Sequence, residues 1–191
     1  MSVAGSLVLK YQEAVHLAAF LRRITSWDSA AVVRVQTRGA VAGLWSVSPM
    51  GCLVFVAVPL GQEPEWPIDS VIFAARFRDI LGDLSQSTEA HHVAQYRLSD
   101  ELPMSAMLAE LPPQGAWVPA ERVAASAVAD VVDAAIADYH KQVEMYPTAD
   151  RKFLDHIAEG VWAKPGIAAF PLKALHAARS LGFLSHANAR V

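Results

Sequence analysis

The sequence predicts an α+β protein: an antiparallel β-meander in the N-terminal half packed against helices, and a mostly helical C-terminal half. Short apolar runs with period-two alternation lie between residues 31 and 58 and are separated by turn residues. The gaps between them are too short for the crossover that parallel strands need, so the pairing is antiparallel. From Pro103 onward the apolar spacing becomes helical and the breaks fall at prolines. The 191 residues, 53% apolar and 18% charged, supply a core for a single domain over residues 1–191. Within it, 1–99 is the helix-plus-sheet part and 100–191 the helical part.

Tyr11–Trp27 reads as an amphipathic helix with Val15, Ala18, Leu21 and Ile24 on one face and Gln12, His16 and Arg23 on the other. Residues 31–38 alternate, placing Arg34, Gln36 and Arg38 on one side of a strand and Val33 and Val35 on the other. Gly39 turns the chain into a strand over 43–48. Pro49 to Gly51 turn it into 52–58, whose apolar residues on both faces predict a central strand. Prolines at 59, 64 and 67 make 60–67 a loop. Residues 69–82 suit either a strand or a helix ended by Gly82; the preferred reading is a short strand that passes into helix. A further strand is expected over 91–98.

Residues 103–111 read as a short helix broken by Pro112 and Pro113. The longest helix spans 120–146 and stops at Pro147, with Asp130, Asp133, Lys141 and Glu144 as its polar stripe. Ala124, Val128, Val131, Ala135 and Tyr139 form the opposite side. Val123, Val132 and Ile136 lie off it, a surplus that implies either deep burial or a subunit interface. A helix over 150–162 turns Phe153, Leu154, Ile157 and Val161 inward. The last helix, 171–181, ends at Gly182 as a left-handed stop, with Phe183 after it.

Three segments resemble a family of uncharacterised bacterial proteins: Leu111-Pro-Pro-Gln-Gly-Ala-Trp117, Val161-Trp-Ala-Lys-Pro165 and the stretch from Pro171 to Leu184. That resemblance covers mainly the C-terminal half and implies no activity, cofactor or site residue.

Composition narrows the function classes. The longest apolar stretches are about half of a membrane span, and the start does not read as a signal peptide. The single cysteine, Cys52, excludes an internal disulfide framework and a thiolate metal cage, so a cytoplasmic protein is expected. Arginine outnumbers lysine eleven to five. Yet eight basic residues face eight acidic ones before Ser99, and eight face eleven after it, so no basic arm marks a nucleic-acid binder.

Seven histidines are the first place to look for chemistry. Glu13 with His16, and His156 with Glu159, stand three apart on helices, the spacing of carboxylate and imidazole ligands in bundle metal sites. Only one of the two has the Glu-x-x-His order, and both also fit solvated polar faces. Glu89, His91 and His92 are close in sequence, but on a strand the two imidazoles would face opposite sides. No Gly-x-Ser-x-Gly elbow, P-loop or Gly-x-Gly-x-x-Gly is present, so no cofactor is implied. Cys52 reads as a small buried hydrophobe. Three tryptophans stand just before prolines, at Trp66, Trp117 and Trp162. They are expected to hold loops against the core, or else to line a partner surface.

The function these features favour is a non-enzymatic binding or interaction module that forms a homodimer. An enzyme with a dispersed His/Glu site at Glu13, His16, His156 and Glu159, metal-dependent or not, is the alternative. A second alternative is a DNA-associated regulator that uses Lys173, His176 and Arg179, although the 163–170 connection is long for a helix-turn-helix.

Overall fold

A computed structural model describes residues 5–84, 93–98, 106–113, 115 and 122–184. The chain divides into two compact units, Met1–Pro113 and Gln114–Val191.

In the first unit the elements are β1 (Gly5–Lys10), α1 (Tyr11–Trp27), β2 (Val32–Arg38), β3 (Val41–Val47) and β4 (Leu53–Pro59). They continue with β5 (Asp69–Phe73), α2 (Ala74–Leu84), β6 (Val93–Leu98) and α3 (Ala106–Ala109). Strands β4, β3, β2 and β5 form, in that order, a four-stranded antiparallel sheet. The expected meander is therefore present, tightened at Gly39 (φ 57°) and Gly51 (φ 68°), where only glycine enters the left-handed region freely. After β4 the chain crosses to the far edge of β2. There the Ile68 N–H donates to Thr37 Oγ1 at 2.8 Å and the Thr37 N–H to the Ile68 carbonyl at 2.9 Å. Residues 69–82 do begin as strand and pass into helix, but Gly82 lies inside α2 rather than at its end.

The core of this unit lies on the inner face of the sheet. Val33, Val35, Leu44, Val54, Val56 and Ile72 are buried there. The large buried residues of the two helices are Leu17, Phe20, Leu21 and Ile24 of α1 and Phe77 and Leu81 of α2, and α1 packs against α2. Val15 of α1, expected inward, is 41% exposed, because Ala14, Leu17, Leu21 and Ile24 define the buried stripe.

Two strand readings change. Segment 52–58, expected at the centre of the sheet, forms an edge strand among the described residues. Its burial alternates, with Val54, Val56 and Val58 inside and Phe55 outside, so its apolar outer face belongs to the surface rather than to a second layer. Strand β1 was not anticipated: it pairs antiparallel with β6, Lys10 opposite Val93, some eighty positions along the chain.

The second unit contains α4 (Ala125–Glu144), α5 (Arg151–Trp162), a 3₁₀ turn (Ile167–Ala169) and α6 (Leu172–Ser180). Val128, Val132, Ala135, Val161, Leu172 and Leu175 form its core, with Val123, Val131, Ile136 and Tyr139 half-buried against it. The apolar surplus of the long helix is thus largely taken up by packing within the unit. Asp150 caps α5 by accepting the Phe153 N–H at 2.8 Å. Gly182 (φ 77°) ends α6 as expected: the Phe183 N–H donates to the Ala178 carbonyl and the Gly182 N–H to that of Arg179. Phe153, expected inward, is 41% exposed and meets Tyr146 edge-on at 4.9 Å.

Candidate functional site: the outer face of the sheet

Alternation along β2 sends Val33 and Val35 into the core and Arg34 and Gln36 to the opposite face. Across the register, Arg34 stands between Trp45 of β3 and Val71 of β5, and Gln36 stands opposite Asp69. Trp45 and Val71, although on the outer face, are buried.

Arg34 is the hub of this face, with only 12% of its side chain exposed. Its Nε and Nη2 donate to Asp69 Oδ1 and Oδ2 at 2.7 and 2.6 Å, a parallel fork that suits the planar guanidinium. Its Nη1 donates to the Leu108 carbonyl at 2.5 Å, at the end of α3. Gln36 Nε2 adds a bond of 3.0 Å to Asp69 Oδ2. These bonds, the Arg34 pair first, hold the Asp69 carboxyl below the usual carboxylate range against the opposing effect of burial. Arg34 is raised by the same partner. Both groups are therefore charged at neutral pH and committed to each other, which makes the pair an anchor rather than a proton donor or acceptor.

Around this anchor the face carries apolar side chains together with the exposed Arg38, which stands opposite Val41. Phe55 lies over Gly43, where a Cβ would come within 2.7 Å of its ring, and beside Trp45, with ring centroids 4.2 Å apart. Phe55, Val41 and Phe73 share this face and are 44%, 45% and 42% exposed.

The other candidate residues lie elsewhere. Glu13 and His16 occupy the first two turns of α1; His16 is exposed, and Glu13 is half-buried with Oε2 lacking a hydrogen-bond partner. His156 and Glu159 are exposed on α5, in the other unit. No group of three or more His, Cys, Asp or Glu side chains gathers among the described residues. Glu89, His91, His92 and Trp117 lie outside them. Cys52 is half-buried just before β4. Trp66 is 66% exposed, so it does not hold its loop against the core, whereas Trp162 stacks on His176 at 4.7 Å. His176 and Arg179 face into the second unit: Arg179 Nη1 donates to Asp133 Oδ1 at 2.6 Å and to the Ala129 carbonyl at 3.2 Å.

The alternation of Arg34 and Gln36 was legible in the sequence, but their partner was not. Asp69 stands 35 positions away in the segment of ambiguous structure.

Residues 3–101 match the family model described as domain of unknown function DUF8010, just over half of the chain. The chain belongs to the DUF8010 family. Residues 112–191 match a second model, domain of unknown function DUF8185. The DUF8010 stretch carries Arg34, Asp69, Trp45 and Phe55, and α3 falls between the two matched stretches. No curated protein and no solved structure matches the chain.

Proposed function

We propose that this DUF8010 protein is a cytoplasmic, non-enzymatic interaction module that self-associates as a homodimer through the outer face of its sheet. One observation carries the reading. Val41, Phe55 and Phe73, each more than two-fifths exposed, surround a rigid ion pair on a single face. Exposed apolar side chains gathered on one face mark binding surfaces, and aromatic anchors dominate their energetics. The Arg34–Asp69 fork ties β2 to β5 across that face, so a partner pays little to organise it. The long helix α4 offers weaker support for a dimer, because its off-stripe residues pack within their own unit.

Light scattering at micromolar concentration tests the proposal. The full chain is expected at twice its 20.6 kDa mass, and Phe55→Glu is expected to weaken the dimer by at least about tenfold. A monomeric mass for the unaltered chain overturns it.

A further inference from the structure

The outer face is partly covered by its own chain. Helix α3 is only four residues long, yet it lies against β3, and Leu108 within it is 1% exposed. The Leu108 carbonyl is the one Arg34 holds, which brings the end of α3 to the row formed by Trp45, Arg34 and Val71. The Ala109 carbonyl lies 3.4 Å from the same Nη1. In a helix this short, the last carbonyls have no partner within the helix, and a cation supplies what the backbone cannot. Two interactions therefore seat the segment: one leucine in an apolar place and one arginine on its terminal carbonyls. Ala109, which ends the segment, and Glu110 after it are exposed. The segment also falls between the stretches that match the two family models, at the end of the first unit.

We infer that Ala106–Ala109 is an intramolecular ligand, a strap that occupies the central row of the outer face, and that the external ligand of this site is a short protein helix of the same chemistry. That helix carries a leucine followed by one or two open C-terminal carbonyls, read by Arg34. The inference rests on the outer face being a binding surface, and it adds the ligand class and the regulation. Arg34 can serve a carbonyl only because Asp69 takes Nε and Nη2, which leaves Nη1 directed away from the carboxylate. Strap and partner compete for that one donor and for the place of Leu108. The affinity of the partner is then reduced by the fraction of molecules whose strap is seated.

The experiment uses a fluorescently labelled peptide of residues 104–111 and the full-length protein, read by anisotropy. Leu108→Ser, which unseats the strap without altering the sheet, is expected to bind the peptide at least about tenfold tighter than the unaltered chain. Arg34→Lys added to Leu108→Ser is expected to abolish that gain, because an ammonium cannot fork to Asp69 and hold a carbonyl together. Equal peptide affinity for the unaltered chain and Leu108→Ser overturns the inference, as does an absence of binding to Leu108→Ser. Hydrogen exchange on the unaltered protein needs no variant: the Ala109 amide is expected to exchange at least tenfold faster than those of β3. Equal protection of strap and sheet overturns the inference as well. A monomeric unaltered chain with the tenfold difference intact overturns the homodimer and keeps the strap. A dimer with equal peptide affinities does the reverse.

Discussion

Arg34 and Asp69, 35 residues apart, meet through two parallel N–H···O bonds of 2.7 and 2.6 Å across neighbouring strands. A third bond from the same guanidinium reaches the end of α3. One side chain thus joins β2, β5 and α3, and it does so on the face opposite the core.

Removing Arg34 leaves the Leu108 carbonyl without its donor and the Asp69 carboxylate with Gln36 alone. Arg34→Ala is expected to cost about 2 kcal/mol, on the scale of hydrogen bonds to charged groups, and Arg34→Lys to recover less than half of it. Denaturant unfolding followed through tryptophan fluorescence reads both. The pair also sets an acid limb. Asp69 is lowered from 3.8 on folding, so its contribution is present above that value and is lost as pH falls through the folded one. Asp69→Asn is expected to flatten stability against pH in that window, and an unchanged acid limb in the variant would refute the assignment.

His176 titrates with the opposite partner logic. Its ring stacks on Trp162, its Nδ1 is buried without a hydrogen-bond partner, and burial first and Arg179 second push its pKa below 6.5. The unfolded chain therefore binds the proton more readily. The stabilising effect of the neutral ring is complete above pH 6.5 and fades as pH falls through the folded pKa. NMR titration of the ring is expected to place its midpoint below the ordinary imidazole value of 6.5, and His176→Phe is expected to reduce the acid sensitivity of the second unit.

The turn between α5 and α6 carries two substitutions of opposite sign. Gly166 has no room for a side chain, since a Cβ would lie 2.6 Å from Leu175 Cδ1 and 3.0 Å from the Phe170 carbonyl oxygen. Gly166→Ala is expected to destabilise the second unit by about 1–3 kcal/mol. Ala168 sits at φ 56°, a left-handed conformation that costs an L-residue roughly 1 kcal/mol. Ala168→Gly is expected to be neutral to stabilising, by up to about 1 kcal/mol. Thermal unfolding of the two variants side by side checks the contrast.

The enzyme alternative is tested through metal. Elemental analysis of protein purified without chelator is expected to find no stoichiometric metal, because Glu13–His16 and His156–Glu159 each offer two ligands and no larger group gathers among the described residues. Stoichiometric metal lost in a His16→Ala, His156→Ala double variant would instead establish the His/Glu site.

The legible parts of this protein are those whose signal is local. The period of Tyr11–Trp27, the Gly182 stop and the alternation of Arg34 with Val33 and Val35 each depend on residues a few positions apart. The same pattern gave the α+β class and the meander, since short links between strands permit little else. The long helix, Ala125–Glu144, is shorter at both ends than the 120–146 that its apolar spacing suggests.

What was missed depends on distant pairing. A run of six residues, Gly5–Lys10, becomes a strand only because Val93–Leu98 lies beside it. Segment 52–58 is apolar on both faces, which in a sequence means burial on both; here it is an edge strand whose outer apolar residues form part of a surface. Helix α3, although it follows the sheet strands in sequence, packs on β3 and lies in the first compact unit, Met1–Pro113.

The sequence by itself determined the type and order of the elements from α1 onward and which face of β2 is polar, because backbone propensity and side-chain period act over single turns and pleats. Only the tertiary structure decided that the polar face is an ion-paired hub, that aromatic residues ring it and that a leucine from the end of the unit covers it. Those outcomes follow from pairings 35 and 74 residues apart, whose energy appears only when the sheet has brought both partners onto one face.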